Sequence, residues 1–250
     1  MTTHFPHWLH LPSGVSAGFR LAWTDERGPD FRGDPSAPEH GQPVGELSQA
    51  ALTAEAAWVR QVHGGTVLQA RGPGCQGEAD ALWTDRRGLA VIGRSADCPL
   101  VLVAGFREDG RPVAGFAHAS WRSTVRGITA RLVEAMAGPG RGASHLEAVI
   151  CPSAGPCCYE VGPEVREQAL EHLGSEADRF FQARGDRFHL DLWAANVAQL
   201  EASGLPPASI QVAQTCTICT LPPRPDIYPS YRRQGDQAGR FAGLAMINAD

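Results

Sequence analysis

The chain has 250 residues, 43% apolar and 20% charged, with a formal net charge of −5. It is long enough for one large domain or two small ones with a real core, and its acidic balance excludes a general attraction to nucleic acid or an anionic membrane. No apolar run reaches the roughly 18 residues of a bilayer span, and the start, MTTHFPHWLHLPSGVS, lacks the basic and apolar parts of a signal peptide, so a cytoplasmic protein is expected.

From about 26 to 46 the segment ERGPDFRGDPSAPEHGQPVGE is dense in glycine, proline and charge. It is expected to be a surface loop, and it is the sole candidate linker. What precedes it is too short for a separate domain, so one domain over 1–250 is expected, with a distinct N-terminal part over 1–50. ALTAEAAW then predicts a short helix. WVRQVHGGTVLQA predicts strand, Gly-Gly turn, strand, with His63 at the turn. GLAVIGRSADCPLVLVAG holds two β-type apolar runs separated by RSADC, and REDGRP carries the Asp-Gly signal of a hairpin leading into VAGFAHAS. WRSTVRGITARLVEAMAG places Val125, Ile128, Leu132 and Met136 on one helical face and stops at Gly138-Pro139.

LEAVIC is a further strand, PSAGPCCYEVG is turn-rich, and PEVREQALEHLG is a helix with Pro163 near its start. FHLDL runs into the helix WAANVAQLEASG, SIQVAQTC is a strand, and RFAGLAMIN closes the chain as another. Hairpin-linked strands followed by alternating strands and helices predict one α+β domain with mixed sheets and helices outside. A doubly wound fold is disfavoured because RQVHGGTV and REDGRP both suggest antiparallel pairs.

His63, Cys98 and His118 each fall at the end or edge of a predicted strand, where residues distant in sequence can converge. Two imidazoles and a thiolate suit zinc, or copper as a softer option, and three protein ligands leave a fourth position for water of pKa about 7. The same atoms allow nucleophilic catalysis instead, with Cys98 attacking, His63 or His118 as base and Asp97 as orienter. The seven cysteines are expected to be reduced. CTIC, Cys216 to Cys219, has CxxC spacing, but a structural zinc site needs a second pair and CPSAGPCC is irregularly spaced, so thiols packed beside a strand end are expected there. Arg60, Arg122, Arg232, Arg233 and Arg240 are candidates for holding a carboxylate or phosphate, and the helix start in RSTVRG offers backbone N–H groups to an anion.

Taken in order, RQVHGGTV, ADALWTD, SADCPLVLV, AHASWR, GPCCYEVG, LDLWAANVAQL and CTICTLPP followed by YPSYRRQGDQAGRFAGLAMI resemble the blocks of the bacterial YfiH-like family. That family, once labelled polyphenol oxidase or laccase-like, is treated as purine nucleoside phosphorylase with adenosine deaminase side activity. The resemblance covers roughly residues 50 to 250. It implies a four-layer α/β/β/α fold and a zinc site held by His63, Cys98 and His118. It implies roles around the substrate for Arg60, Asp97, Arg122, Arg232 and Arg233, with Asp97, Cys98 and His118 at the chemistry. Two departures stand out. The family's HAGWRG is HASWRS here, with Ser120 and Ser123 in place of glycines, and the family's N-terminal Gly-Gly-Val-Ser loop and Ser-Leu-Asn-Leu segment are missing.

The activity implied is phosphorolysis of a purine nucleoside by inorganic phosphate, with zinc-assisted deamination of adenosine beside it; both partners are small molecules. In phosphorolysis the arginines hold phosphate and Asp97 or a metal-bound water protonates the departing base. Two alternatives are a cytoplasmic zinc amidase that releases L-Ser from UDP-MurNAc-L-Ser and a lapsed member that binds a nucleoside without turning it over. Laccase-type oxidation is disfavoured, because a multicopper centre needs many more histidines than this set contains.

Overall fold

Strand Leu100–Phe106 (β8) sends Leu100, Leu102 and Ala104 into one apolar cluster and Val101 and Val103 into another. Side chains alternate between the faces of a strand, so a continuously apolar strand must be covered on both sides. Strand Phe241–Ile247 (β15) behaves the same way: Phe241, Ala245 and Ile247 share the cluster of Leu100, while Ala242, Leu244 and Met246 enter a third. The shared cluster is the space between two sheets, and the other two lie on their outer faces.

These relations come from a computed structural model that describes residues 9–13, 15–33, 45–47, 49, 55–219 and 228–249. The first sheet has the order β1 (Leu9–His10), β2 (Phe19–Thr24), β15, β7 (Leu89–Ser95), β3 (Glu55–Arg60), β5 (Gly74–Glu78). The second has the order β14 (Ile210–Val212), β10 (Leu146–Ile150), β8, β9 (Pro112–His118), β6 (Ala81–Thr84), β4 (Val67–Gln69). Both are mixed: β3 runs parallel to β5 and β7, while β15 is antiparallel to β2 and β7. Helices Ile128–Ala137 (α2) and Leu192–Ala202 (α4) cover the outer face of the second sheet. Leu47, in a helical stretch at 45–47, and Phe31 are buried on the outer face of the first. The arrangement is the expected four-layer α+β architecture with mixed sheets. A small antiparallel sheet of β11 (Glu160–Val161), β13 (Arg187–Leu190) and β12 (Phe181–Arg184) packs with helix Pro163–Leu173 (α3) beside it. Among the described residues no helix is long and apolar enough to cross a membrane.

The REDGRP hairpin is present as the antiparallel β8–β9 pair. RQVHGGTV is not a hairpin. β3 and β4 lie in different sheets, so its two glycines carry the chain across the core. The chain crosses again between β7 and β8. ALTAEAAW enters strand β3 at Glu55, and residues 50–54 lie outside the described residues. Alanine's helix propensity is overridden there by parallel pairing on both sides of β3. The single helix expected over WRSTVRGITARL is two: Trp121–Val125 (α1) and α2, separated by Gly127 in the left-handed region at φ +71°. Val125, Ile128, Leu132 and Met136 are nevertheless all buried.

Gly93 on β7 lies opposite Gly243 on β15, and both face the inter-sheet core. A Cβ at Gly93 would sit 2.6 Å from the Phe116 ring and 3.1 Å from Leu100, and one at Gly243 would sit 3.0 Å from Leu100. The paired glycines therefore form a notch that receives side chains of the facing sheet. Gly93→Ala is expected to cost about 1–3 kcal/mol by overpacking and to lower Tm by several degrees for a chain of this size. Thermal unfolding of the variant checks this, and an unchanged midpoint would mean that the sheets separate without penalty.

Candidate metal centre and active-site cavity

Two sheet-crossing connections and one strand end meet at the same point. His63 lies in the β3–β4 connection, Cys98 in the β7–β8 connection and His118 at the end of β9. Their ligand atoms all lie within 4.8 Å of one another. The two imidazole rings stand 5.0 Å apart, edge to face at 71°. Three described non-glycine residues have left-handed backbone, and two of them flank this point: His63 at φ +58° and Asp97 at φ +86°. Backbone strain of this kind persists where the surroundings over-determine it, and it clusters at functional sites.

Asp80, fully buried at the start of β6, organises the centre. Its Oδ1 accepts from His63 N (3.0 Å) and lies 2.9 Å from His118 Nδ1; its Oδ2 accepts from Gly64 N (2.6 Å) and Val62 N (3.2 Å). Holding Nδ1 turns Nε2 of His118 toward the other two donors, the usual support for a metal-bound imidazole. Burial raises the Asp80 pKa, but the bonds from His118, Gly64 and His63 outweigh it and hold the carboxyl below its ordinary value. Burial also opposes charge on both Cys98 and His118, yet their mutual attraction prevails: the thiol is lowered to about 6 and the imidazole raised to about 9. Without a metal the two thus favour a thiolate–imidazolium pair, and a metal ion would take the place of the imidazolium proton between them. The orienting carboxylate is Asp80 and not Asp97, which corrects the arrangement expected for a nucleophilic cysteine. Convergence of a second imidazole on the same thiolate favours a metal over that alternative.

These donors open on a cavity of about 650 Å3. Arg32, Arg94, Arg122, Arg232 and Arg240 line it, against the two carboxylates of Asp97 and Asp236, so it favours anions. Phe31, Trp121, Tyr159 and Tyr231 add aromatic surface. The Arg122 guanidinium stacks on Trp121 at 4.3 Å, and that of Arg232 on Tyr159 at 4.9 Å. Burial pushes the Tyr159 phenol up, so it stays protonated.

Asp97 lines the cavity, but both its oxygens are engaged: Oδ1 accepts from Thr217 Oγ1 (2.6 Å) and Oδ2 from Arg232 N (2.7 Å). Arg60 lies outside the cavity, exposed and paired with Glu78 at 3.1 Å. Arg233 is also outside the lining, with Nη2 donating to Tyr228 O at 2.9 Å. The two serines of HASWRS neither strain the turn nor line the cavity together. Ser120, at φ −54°, caps α1 by accepting from Ser123 N, and its hydroxyl meets that of Ser123 at 2.8 Å. The helix start therefore uses the N–H groups of Ser123 and Thr124 internally, the latter bonded to Ser120 O at 2.7 Å. From the 26–46 loop, Phe31 to Gly33 reach the cavity wall, where Arg94 Nη1 donates to Phe31 O at 3.2 Å and to Gly33 O; residues 34–44 lie outside the described residues.

The profile of the family described as "multi-copper polyphenol oxidoreductase laccase" matches residues 43–248. The chain belongs to this laccase-like YfiH family. Within it, a purine nucleoside phosphorylase of Deinococcus radiodurans is 35% identical over 231 residues, covering 92% of this chain and 83% of that protein. Adenosine deaminase RL5, from an unknown prokaryotic organism, is 34% identical over 168 residues, covering 66% of this chain and 61% of that one. The crystal structure of the Bacillus licheniformis protein YfiH shares the fold, with a TM-score of 0.76 at 23% identity over 92% of this chain and 93% of that one.

Sequence reasoning passed over Asp80, Arg32 and Arg94 as site residues of this YfiH-family chain. Asp80 carried a signal, a lone acid inside the apolar ADALW. Arg94 carried a weaker one, a charge closing the apolar run of β7. Arg32 carried none.

Proposed function

We propose that this chain is a metal-dependent purine nucleoside phosphorylase with adenosine deaminase activity at the same site, and that the metal is zinc. The observation that carries the proposal is a single cavity joining a two-imidazole, one-thiolate donor set to arginines and aromatic rings. His63, Cys98 and His118 would hold the zinc, which would supply a Lewis acid suited to hydrolytic removal of the adenine 6-amino group. Arg122 and Arg232 bind phosphate, their guanidiniums fixed by stacking on Trp121 and Tyr159. In phosphorolysis a phosphate oxygen bonds to C1′, the C1′–N9 bond breaks, and its electron pair leaves with the purine, which takes up a proton. The arginines keep phosphate beside the positive charge that develops on the ribosyl group. Trp121 and Phe31 offer apolar faces to the base, and the Tyr159 hydroxyl, which stays protonated, offers it a hydrogen-bond donor. Asp97 is a positioning residue in this reading, because its oxygens hold Thr217 and the backbone of Arg232.

Mass-spectrometric product analysis with adenosine, with and without phosphate and beside a chelator-treated sample, tests the proposal. Adenine and ribose 1-phosphate are expected only with phosphate, inosine without it, and neither after chelation. A metal-loaded protein that yields none of these products overturns the reading, and release of serine from UDP-MurNAc-L-Ser would replace it.

A further inference from the structure

A second cluster of metal-ligating side chains lies outside the His63, Cys98 and His118 centre. Cys157, Cys158, Cys216 and Cys219 bring four sulfurs within 4.8 Å of one another. CTIC and GPCC, unpromising by spacing, are thus joined by the fold. Cys216 forms a β-bridge with Ser153, and the two loops are laced by Ser153 N to Thr215 O (3.1 Å) and Thr217 N to Ser153 O (3.0 Å). In the facing loop the Gly155–Cys158 turn closes through Cys158 N to Gly155 O at 3.0 Å, and consecutive cysteines contribute both sulfurs to the cluster.

We propose that these four cysteines hold a second metal ion in a tetrathiolate site, with zinc as the ion. Four donors and no open position make such a site structural. A tetrahedron of Zn–S bonds of about 2.3 Å has edges of about 3.8 Å, and the cluster needs only small adjustments to match it: Cys157 Sγ and Cys219 Sγ are 3.2 Å apart and no pair exceeds 4.8 Å. Disulfides require sulfurs to meet in twos; here each of the four is near the other three, which one central ion requires. The backbone already serves a thiolate: Gly155 N donates to Cys216 Sγ at 3.2 Å, and the N–H groups of Ile218 and Cys219 face the same sulfur. The remaining cysteines are elsewhere, Cys75 exposed on β5 and Cys151 buried in the inter-sheet core.

The ion would tie together two parts of the cavity wall. Cys158 is followed by Tyr159, and Cys216 by Thr217, whose hydroxyl donates to Asp97. The inference does not depend on the reaction assigned to the cavity.

The test is metal analysis of the whole chain purified with zinc, by elemental and native mass spectrometry, for the wild type, Cys98→Ser and the double variant Cys216→Ser/Cys219→Ser. Two zinc equivalents are expected in the wild type and one in each variant. Reconstitution with cobalt reports the thiolates directly: Cys98→Ser should keep about four fifths of the thiolate-to-cobalt absorption, and the double variant about one fifth. Should the double variant fail to fold, Cys219→Ser alone, with three thiolates left, is expected to keep the ion but lose it first to a chelator. A wild type with a single equivalent that disappears in Cys98→Ser overturns the proposal. So does a metal-free chain whose mass shows the loss of hydrogens on forming a disulfide among these cysteines.

Discussion

Cys98→Ser is expected to empty the His63, Cys98 and His118 centre and to lower turnover by about a thousandfold or more. Cys98 supplies the one anionic ligand, and its thiol already sits at about 6. A serine hydroxyl in its place stays protonated near neutral pH and leaves two neutral imidazoles, a poor grip on a divalent ion. The loss of several kcal/mol of Lewis-acid stabilisation corresponds to about three powers of ten. The chain is expected still to fold, with a lower Tm for want of the ion, because the local hydrogen bond from Ser95 Oγ uses the Cys98 carbonyl and not its sulfur. Parallel zinc analysis and assays of phosphorolysis and deamination check the result. Activity retained in full would show that the reaction does not use this centre.

Asp80→Asn is expected to weaken metal binding by about 10–100-fold although Asp80 touches no metal. Each carboxylate oxygen of Asp80 faces two nitrogens: His63 N and His118 Nδ1 on Oδ1, Val62 N and Gly64 N on Oδ2. An asparagine must turn its NH2 toward one of these sets. Turned toward Oδ2's partners, it sets donor against donor at Val62 and Gly64 and breaks two part-buried hydrogen bonds to a charged acceptor. Turned the other way, it opposes His63 N and forces His118 to change tautomer or swing away. The first orientation loosens the turn that carries His63, and the second disturbs both His63 and His118, so neither leaves the ligand set aligned. Zinc competition with a coloured chelator measures the change, and an affinity equal to wild type would show that His118 is oriented by packing alone.

Where local pattern and tertiary environment agreed, the sequence was a sufficient guide. The apolar runs of β7, β8, β9, β10 and β15, the Asp-Gly hairpin and the Pro163 helix start are all present. The three metal-ligand candidates could be picked out because soft ligands at strand ends are chemically conspicuous. The failures share a cause. RQVHGGTV looks like a hairpin, but a Gly-Gly pair permits a crossing as readily as a reversal, and only the partner strands decide. The Arg126–Gly127 break leaves the buried face of WRSTVRGITARL intact, so periodicity could not show it. The four cysteines of the second cluster meet through the Ser153–Cys216 bridge, a contact between loops that spacing within either cannot reveal. Arg32 reaches the cavity by way of a loop whose course no local pattern determines.

The placing of two metal ligands on the connections that pass between the sheets has an evolutionary consequence. An ion bound by His63, Cys98 and His118 fastens neighbouring layers as well as serving a reaction, so selection for a folded chain acts on the same three residues as selection for turnover. A descendant that lost its chemistry would keep the triad and drift first at the arginines and aromatic rings of the cavity. In this architecture an intact metal set testifies to inheritance of the fold, and the cavity wall is where a change of occupation would be recorded.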